Sequence, residues 1–298
     1  MIKKIVHFSD LHIRLFKHHD QYKSIVSSML EKFREVNPDR IVFSGDLVHS
    51  KNQMTPELIE MVSWVLTECS KIAKTVLIIG NHDFLESNMS RLDALTPIID
   101  SLKNDNVVYY KNRGVYIDDN IDWVVYSLVD HNIPPEIETS DNLKIGIFHG
   151  PVQGLTTDIG YKFETGFDSD KFSGCDLVLC GDIHKRQIFD IPSGKKAYMV
   201  GSTIQQNYGE SIGKHGFGIY DIEKGEEKYF YDIENIREKH FYFAFNEETL
   251  NKEKKLLNKI SKQIENAGQS EYTTVSYDIT ATTYEKNFAY IEAHTNFI

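Results

Sequence analysis

Five apolar runs of this sequence each end in side chains of the types that bind metal ions in proteins. The five motifs are Asp10-Leu11-His12, Gly45-Asp46, Gly80-Asn81-His82-Asp83, His149 and Asp182-Ile183-His184. In an open α/β sheet the carboxyl ends of the strands gather distant parts of the chain into one crevice. A turn or a cap would explain any one motif, but that explanation would have to hold for all five. The series therefore predicts a fold in which five strand ends converge.

The N-terminal part of the chain alternates between strand-like and helix-like patterns. Residues 5–8 predict a buried strand, and the apolar spacing in 20–36 predicts a helix. Alternating strands and helices require crossover connections, and therefore a largely parallel sheet. Further strands are predicted at 40–44, 75–79, 107–110, 114–117, 123–128, 144–148 and 177–179, a second helix at 55–71, and surface loops at 130–143 and 150–174.

The pattern changes near residue 236, which predicts a small second unit. Residues 241–245 alternate as a strand, and residues 247–266 form a charged helical pattern with one apolar stripe. A chain of 298 residues with 41% hydrophobic residues can bury one large core and carry an appendage. We therefore predict an α/β domain over residues 1–235 and a small α+β unit over residues 236–298.

Composition limits the partners and the compartment. The formal net charge of -11 argues against a protein that coats nucleic acid, so a polyanionic substrate would need bound cations or a local basic patch. Cys69, Cys175 and Cys180 have neither disulfide nor metal-site spacing, which favours a reducing compartment. No apolar run approaches the roughly 20 residues that span a bilayer. A cytoplasmic location without membrane contact is expected.

The most specific of the five motifs is Gly80-Asn81-His82-Asp83, because four fixed residues occur by chance in roughly one such chain in a thousand. A Gly-Asn turn would explain only its first half. His82 adds a group that transfers protons near neutral pH, and Asp83 is an adjacent carboxylate available to orient it. Seven ligand-type side chains at five strand ends suit two adjacent cations bridged by one carboxylate.

The order and spacing of these motifs resemble the calcineurin-like metallophosphoesterase superfamily. Three further segments resemble its SbcD nuclease family of double-strand-break repair and recombination, to which phage recombination nuclease subunits belong. These segments are Gly45-Asp46-Leu47-Val48-His49, Tyr198-Met199-Val200-Gly201-Ser202 and Tyr208-Gly209-Glu210. The resemblance implies a two-sheet αββα sandwich over residues 1–235. By position and pattern alone, it implies a DNA-contacting cap over residues 236–298.

Carried over residue by residue, the resemblance implies two divalent metal ions, with Mn²⁺ as the family's metal and Mg²⁺ as the alternative. One ion would be bound by Asp10, His12, Asp46 and His184, and the other by Asp46, Asn81, His149 and Asp182. Asp46 would bridge them, and a metal-activated water would be the nucleophile. His82 would stabilise the transition state or protonate the leaving oxygen, with His49 and Asp83 as its supporting neighbours.

One position departs from the family pattern, because Gly181-Asp182-Ile183-His184 stands where the family usually has Gly-His-x-His. Asp182 adds a third carboxylate to Asp10 and Asp46, against the four positive charges of two divalent ions. A harder, oxygen-rich set of ligands favours Mg²⁺ or Mn²⁺ at the second position. Alternatively, Asp182 turns away and the site holds a single metal ion.

Three functions are compatible with these motifs. The first is a DNA nuclease, acting as a 3′-to-5′ exonuclease on duplex ends and as an endonuclease on single-stranded or hairpin DNA. Lys185 and Arg186 would contact DNA phosphates unless they form a solvated surface pair, and the resemblance implies an SbcC-like coiled-coil ATPase partner and a homodimer. The second is a phosphoesterase acting on small phosphodiesters, cyclic nucleotides or phosphoproteins. The third is a non-catalytic scaffold that binds DNA or a partner.

Overall fold

The computed structural model describes residues 1–207, 209–211, 214–222, 227–232, 239–246 and 273–280. Two six-stranded mixed sheets form the body of the protein. Their strands are β1 (Lys4–Phe8), β2 (Arg40–Phe43), β3 (Lys74–Leu77), β4 (Val107–Tyr109), β5 (Gly114–Asp118), β6 (Ile121–Tyr126), β7 (Leu143–His149), β8 (Leu177–Gly181), β9 (Gln187–Asp190), β10 (Lys196–Met199), β11 (Gly216–Asp221) and β12 (Glu227–Asp232). The first sheet has the strand order β12-β11-β1-β2-β3-β4 and the second has the order β5-β6-β7-β8-β10-β9.

The first sheet has the parallel core that the alternating pattern predicts. Strands β1 to β4 run parallel, while β11 pairs antiparallel with β1. The crossover helices are α1 (His19–Val36), α2 (Pro56–Ser70) and α3 (Thr96–Leu102). The side chain of Thr55 caps α2 by accepting a hydrogen bond from Leu58 N at 3.2 Å. The sequence pattern did not predict α3, because this short helix buries only Ile98 and so has no apolar stripe.

The second sheet is parallel at its centre, with β6, β7, β8 and β10 running in one direction. Strands β5 and β9 are its antiparallel edges. Outside the two sheets, β13 (Lys239–Asn246) includes the strand predicted at 241–245 and pairs in parallel with β14 (Thr273–Thr280). The predicted helix at 247–266 lies outside the described residues. The boundary at residue 236 and the DNA-contacting cap stay predictions.

Alternation along the strands divides the core into layers. Val6 and Phe8 pack with the helices on the outer face of the first sheet, whereas Ile5 lies between the sheets, in one cluster with Trp123 and Ile147 of the second sheet. The outer face of the second sheet is covered by residues 150–175, which include a single 3-10 turn. The predicted two-sheet α/β sandwich is confirmed. Within the part of the chain that the structure describes, no helix is long and apolar enough to cross a membrane.

The carboxyl ends of the parallel strands in both sheets meet at the same edge of the sandwich. Backbone hydrogen bonds join the loops that follow them: Thr203 N donates to Ser9 O at 3.1 Å, and Gly150 N donates to Gly181 O at 3.3 Å. The first bond joins the loop after β10 of the second sheet to the loop after β1 of the first sheet, and the second bond joins two strand ends within the second sheet. The fold therefore brings the strand ends together, as the series of motifs predicts.

A buried carboxylate links the two sheets elsewhere. Asp118 of β5 accepts hydrogen bonds from Arg40 of β2 at 2.6 and 2.7 Å and from Trp123 Nε1 at 3.2 Å. The Asp118 side chain is 7% exposed. The hydrogen bonds from Arg40 outweigh burial and lower the pKa of Asp118 to about 2.

We expect Asp118→Asn to lower the free energy of unfolding by about 2 kcal/mol at pH 7, since Arg40 would lose its anionic partner. The folded-state pKa lies below the ordinary value, so the carboxylate stabilises the fold above about pH 4 and this stabilisation is lost towards pH 2. Urea unfolding of both proteins should therefore give a difference that is constant from pH 7 to pH 5 and narrows below pH 4. The exposed Asp190→Asn is the control, and a difference that grows on acidification would contradict the prediction.

Candidate metal centre

The loops after the strands hold the predicted ligands in an unusual backbone conformation. Four of the seven predicted ligands have positive φ angles: Asp10 (53°), His12 (48°), Asp46 (62°) and Asp182 (96°). Such angles are rare for residues with a Cβ atom, and they persist where the surrounding structure enforces them. Two backbone hydrogen bonds do so here, from Asp10 N to Gly45 O at 3.1 Å and from His12 N to Asp46 O at 3.0 Å.

The first cluster combines Asp10, His12 and His184 with one oxygen of Asp46. The Nε2 atoms of His12 and His184 face each other at 3.0 Å. Each of them lies 3.8 Å from Asp10 Oδ1, and His12 Nε2 lies 3.5 Å from Asp46 Oδ2. Two imidazole nitrogens and two carboxylates thus point at a common space.

The second cluster surrounds His149. Its Nε2 atom lies 3.4 Å from Asp46 Oδ1, 3.7 Å from Asp182 Oδ1 and 3.2 Å from the side-chain amide of Asn81. The Asp182 backbone amide also donates to Asp10 Oδ2 at 3.1 Å, which ties the two clusters together. Asp182 therefore faces the second cluster, and the structure does not favour the alternative in which it turns away.

Asp46 stands between the clusters and offers one oxygen to each. Two glycines allow this close packing. A Cβ atom on Gly80 would lie 2.1 Å from Asp46 N, and one on Gly45 would lie 2.4 Å from His149 Nδ1. A side chain at Gly80 would therefore displace Asp46, and one at Gly45 would displace His149. Glycine is required at both positions for this steric reason.

Burial dominates the electrostatics of the carboxylates. It raises the pKa of Asp10 to about 6, and it also raises the pKa of Asp182. Burial acts in the same direction on Asp46, but the charge and hydrogen bond of His149 outweigh it and hold the Asp46 pKa below its ordinary range. Three acidic side chains buried this close together are unfavourable unless cations neutralise them.

The donor set fits divalent metal ions. The clusters offer imidazole nitrogens, carboxylate oxygens and one amide without any thiolate, which suits Mn²⁺, Fe²⁺ or Zn²⁺, while the oxygen-rich second cluster also suits Mg²⁺. The ring of His149 is oriented by its other nitrogen, since Nδ1 donates to Ser44 O at 2.7 Å. The structure thus brings all seven predicted ligands into two adjoining clusters, and their assignment as ligands stays a prediction.

His82 and His49 lie beside the first cluster. The His82 backbone amide donates to Asp46 Oδ1 at 2.7 Å, and its ring Nδ1 donates to the His49 carbonyl at 2.8 Å. The two rings stack with centroids 5.5 Å apart, and the His12 ring meets His82 edge-on at 4.7 Å. His82 is therefore fixed at three points, and Nε2 is the ring nitrogen left for proton transfer.

The structure gives Asp83 a different role from the one expected. Its carboxylate accepts four backbone hydrogen bonds, from Gly80 N, Asp46 N, Leu47 N and Val48 N at 2.8 to 3.1 Å. Asp83 thus shapes the loop that carries Asp46, while the His49 carbonyl orients the His82 ring. Burial and the neighbouring Asp46 raise the pKa of Asp83 to about 7.

Lys185 and Arg186, the two predicted substrate contacts, lie in different surroundings. Lys185 borders a groove of about 360 Å³ that is also lined by Asp182 and His184, and its Nζ donates to Thr156 Oγ1 at 2.8 Å. Arg186 instead lies over the Phe230 ring, 4.4 Å from its centroid, and its Nε donates to Val200 O at 3.4 Å. Arg186 is partly buried like Lys185, and its contact with DNA phosphates stays a prediction.

Two residues near the clusters were not predicted as functional. Arg14 Nη1 lies 3.2 Å from His49 Nε2, and burial, together with the charge of Arg14, lowers the pKa of His49 to about 4. The sequence could have indicated Arg14 only by its position two residues after His12. Glu210 accepts a hydrogen bond from His184 Nδ1 at 2.7 Å. Burial alone would lower the pKa of His184, but this bond and the charge of Asp10 raise it to about 9.

Comparison with known proteins gives one family match. Residues 3–186, which include every predicted metal ligand, match the model for calcineurin-like phosphoesterases. The chain is 36% identical over 244 residues to an uncharacterized protein of Acanthamoeba polyphaga mimivirus. That alignment covers 76% of this chain but spans only 18% of the mimivirus protein.

Solved structures that are similar to this chain at low sequence identity include the following two. One is Yfce, a phosphoesterase from E. coli, with 14% identity, a TM-score of 0.37, and coverage of 73% of this chain and 88% of that one. The other is a dimetal phosphatase from Danio rerio, with 11% identity, a TM-score of 0.43, and coverage of 73% and 92% respectively.

Proposed function

The chain belongs to the calcineurin-like phosphoesterase family, and on this premise we propose that it is a two-metal nuclease that hydrolyses phosphodiester bonds in DNA. One observation carries the proposal. Asp46 presents one carboxylate oxygen to each ligand cluster, and His82 is hydrogen-bonded to the same carboxylate through its backbone amide. A bridging ligand and a proton-transfer group therefore lie side by side.

Divalent ions bound by the two clusters would polarise the phosphoryl group and lower the pKa of the attacking water. The ligands Asp10, Asp46 and Asp182 balance much of the charge of two such ions. The remaining positive charge would attract the phosphate of the substrate. No side chain has to form a covalent bond to the phosphorus, because water is the nucleophile.

His82 is the proposed proton donor to the leaving oxygen. The His49 carbonyl accepts the hydrogen of His82 Nδ1, so an imidazolium would release its second proton from Nε2 and return to the same neutral tautomer. The stack of His49 on His82 restricts the ring to this orientation. Such a group protonates the departing alkoxide as the bond to phosphorus breaks.

Two features support DNA as the substrate. The His49, Tyr198–Ser202 and Tyr208–Glu210 motifs resemble those of SbcD nucleases. In addition, residues 14–19 (Arg-Leu-Phe-Lys-His-His) hold only basic and apolar side chains in a chain of net charge -11. This segment begins at Arg14, which contacts His49, so Arg14 and Lys17 would supply local positive charge for a polyanion. Phe16 within it is 63% exposed.

The proposal extends to partners. The same resemblance favours an SbcC-like coiled-coil ATPase as the binding partner and a homodimer as the assembly, in DNA repair or recombination. Size-exclusion chromatography with light scattering tests the dimer. A single species at the mass of one chain over a wide concentration range would contradict it.

One assay tests the proposed activity. Purified protein with Mn²⁺ or Mg²⁺ is incubated with labelled duplex, single-stranded and hairpin DNA, and in parallel with bis-p-nitrophenyl phosphate. We expect DNA cleavage that depends on the metal and is lost in His82→Ala. Hydrolysis of the small diester without DNA cleavage would instead support a phosphoesterase acting on small substrates. Inactivity on every substrate would support a non-catalytic scaffold.

Asp182 supplies a prediction about metal choice. Because it adds an oxygen ligand and a negative charge to the second cluster, we expect wild type to use Mg²⁺ almost as well as Mn²⁺, and Asp182→His to bind Mg²⁺ about tenfold more weakly. Metal titration by calorimetry, together with activity in each metal, measures the change. Equal Mg²⁺ affinity in the two proteins would contradict the prediction.

A further inference from the structure

We propose that Glu210 is a positioning residue, which holds the His184 ring so that Nε2 faces the first cluster and strengthens metal binding there. The proposal deepens the proposed metal-dependent function and rests on it. It concerns the Tyr208-Gly209-Glu210 segment, which the sequence marks without indicating what it does. The juxtaposition that supports it is a buried carboxylate on the far side of a predicted metal ligand.

The hydrogen bond between the two residues fixes the tautomer of His184. Its Nδ1 atom lies 2.7 Å from Glu210 Oε1, and an ionised carboxylate can only accept. Nδ1 must therefore carry a hydrogen, so in the neutral ring Nε2 has a free lone pair. That atom faces the first cluster, 3.0 Å from His12 Nε2 and 3.8 Å from Asp10 Oδ1. A histidine that ligates a metal is commonly oriented in this way.

Other bonds prevent Glu210 from turning away. Gln206 N donates to Oε2 at 2.7 Å and Asn207 Nδ2 donates to Oε1 at 2.7 Å, while Ser202 Oγ lies 3.4 Å from Oε2. The Glu210 side chain is only 6% exposed. The carboxylate is thus built into the turn after β10, and its charge is held next to His184 rather than in solvent.

The three predicted histidine ligands differ in what supports the ring from behind. His149 is supported by the neutral carbonyl of Ser44. His12 Nδ1 is buried and has no hydrogen-bond partner among the residues that the structure describes. Only His184 of the three has a carboxylate behind it, which adds negative charge and makes Nε2 a stronger donor to a cation.

This arrangement balances the two clusters. The second cluster has Asp182 as a predicted direct ligand in addition to Asp46, at the position where the family pattern that this chain resembles has histidine. The first cluster has Asp10, and Glu210 adds a further carboxylate behind His184. The first cluster therefore has one carboxylate besides its predicted direct ligands Asp10 and Asp46, and the second has one in addition to Asp46 alone. In the second cluster Asp182 faces the site directly, and in the first cluster Glu210 acts through His184.

Titration with Mn²⁺ alone tests the proposal. We expect Glu210→Ala to weaken binding at one of two sites by about 10-fold to 100-fold, with the other site within about 2-fold of wild type. Glu210→Gln keeps a hydrogen-bond acceptor for Nδ1 but removes the charge, so a smaller loss of about 3-fold to 10-fold is expected. Electron paramagnetic resonance at two equivalents of Mn²⁺ should show coupled ions in wild type and largely isolated ions in Glu210→Ala.

Two further variants separate positioning from a merely structural role. Asn207→Ala removes one bond to Glu210 but leaves the contact with His184, and the exposed Glu138→Ala is a matched control for loss of charge. If Glu210 only held the turn, Asn207→Ala would weaken Mn²⁺ binding as much as Glu210→Ala. That result, or unchanged affinity in a folded Glu210→Ala, would overturn the proposal. The titration contains no DNA, so a failure of the nuclease proposal would leave its outcome interpretable.

Discussion

Replacing Asp46 with Asn should remove Mn²⁺ from both clusters and reduce DNA hydrolysis by about a thousandfold or more. The Asp46 carboxylate offers one oxygen to the first cluster, at His12, and the other to the second cluster, at His149. An amide has a single oxygen and no charge, so it cannot offer one oxygen to each cluster or neutralise the ions. Loss of metal-ion stabilisation worth several kcal/mol corresponds to a rate loss of roughly this size, at about 1.4 kcal/mol per tenfold. Metal analysis after gel filtration and the initial rate of DNA cleavage measure the two effects.

A second buried aspartate provides the control for Asp46→Asn. Asp122 on β6 is 4% exposed and binds Ser140 and Asn142, outside both clusters. Asp122→Asn should change the free energy of unfolding but keep the metal content of wild type. If Asp46→Asn retained two equivalents of Mn²⁺ and a rate within tenfold of wild type, Asp46 would not be the bridging ligand.

Replacing His82 with Gln should lower kcat for DNA by about 100-fold to 10,000-fold while the Mn²⁺ content stays unchanged. His82 is not among the predicted metal ligands, so its loss removes a proton donor and leaves both clusters in place. The effect should be much smaller with bis-p-nitrophenyl phosphate, because nitrophenolate is a weak base that leaves without a proton. Steady-state rates on both substrates at saturating Mn²⁺ measure the contrast.

The contrast between the substrates separates two roles of His82. An equal loss on DNA and on bis-p-nitrophenyl phosphate would show that His82 stabilises the phosphoryl charge instead of protonating the leaving oxygen. His131→Gln serves as a control at a histidine of the short turn that follows β6. A change in Mn²⁺ content in His82→Gln would mean that His82 belongs to a metal site.

The sequence predicts the centre of this fold well, because the strands that carry the ligands are also the most apolar. The parallel strands β1 to β3 and the helices α1 and α2 lie within a few residues of their predicted bounds. Their carboxyl ends meet because crossover connections make the strands parallel, and this requirement is visible in the order of elements. For α3, the short segment buries one residue, so tertiary packing decides its conformation.

The roles of individual polar residues were harder to predict, because they depend on contacts between distant segments. Asp83 follows His82 directly, yet its carboxylate binds backbone amides of the loop at Asp46. Arg186 follows Lys185, yet it packs on Phe230. Two residues that are adjacent in the sequence can therefore contact quite different groups. The end of a strand, in contrast, can be predicted from the local apolar pattern. The partner of His184 is 26 residues away, and no spacing rule indicates it.

The left-handed backbone conformation lowers the stability of the fold at four residues whose side chains are the predicted metal ligands. These residues are Asp10, His12, Asp46 and Asp182. Glycine would relieve roughly 1 kcal/mol at each such position, so a chain chosen for thermal stability alone would carry glycine there. It would also have lost its ligands. Screening for heat-resistant variants of this protein would therefore enrich inactive ones, and gains in stability must be sought away from the strand ends.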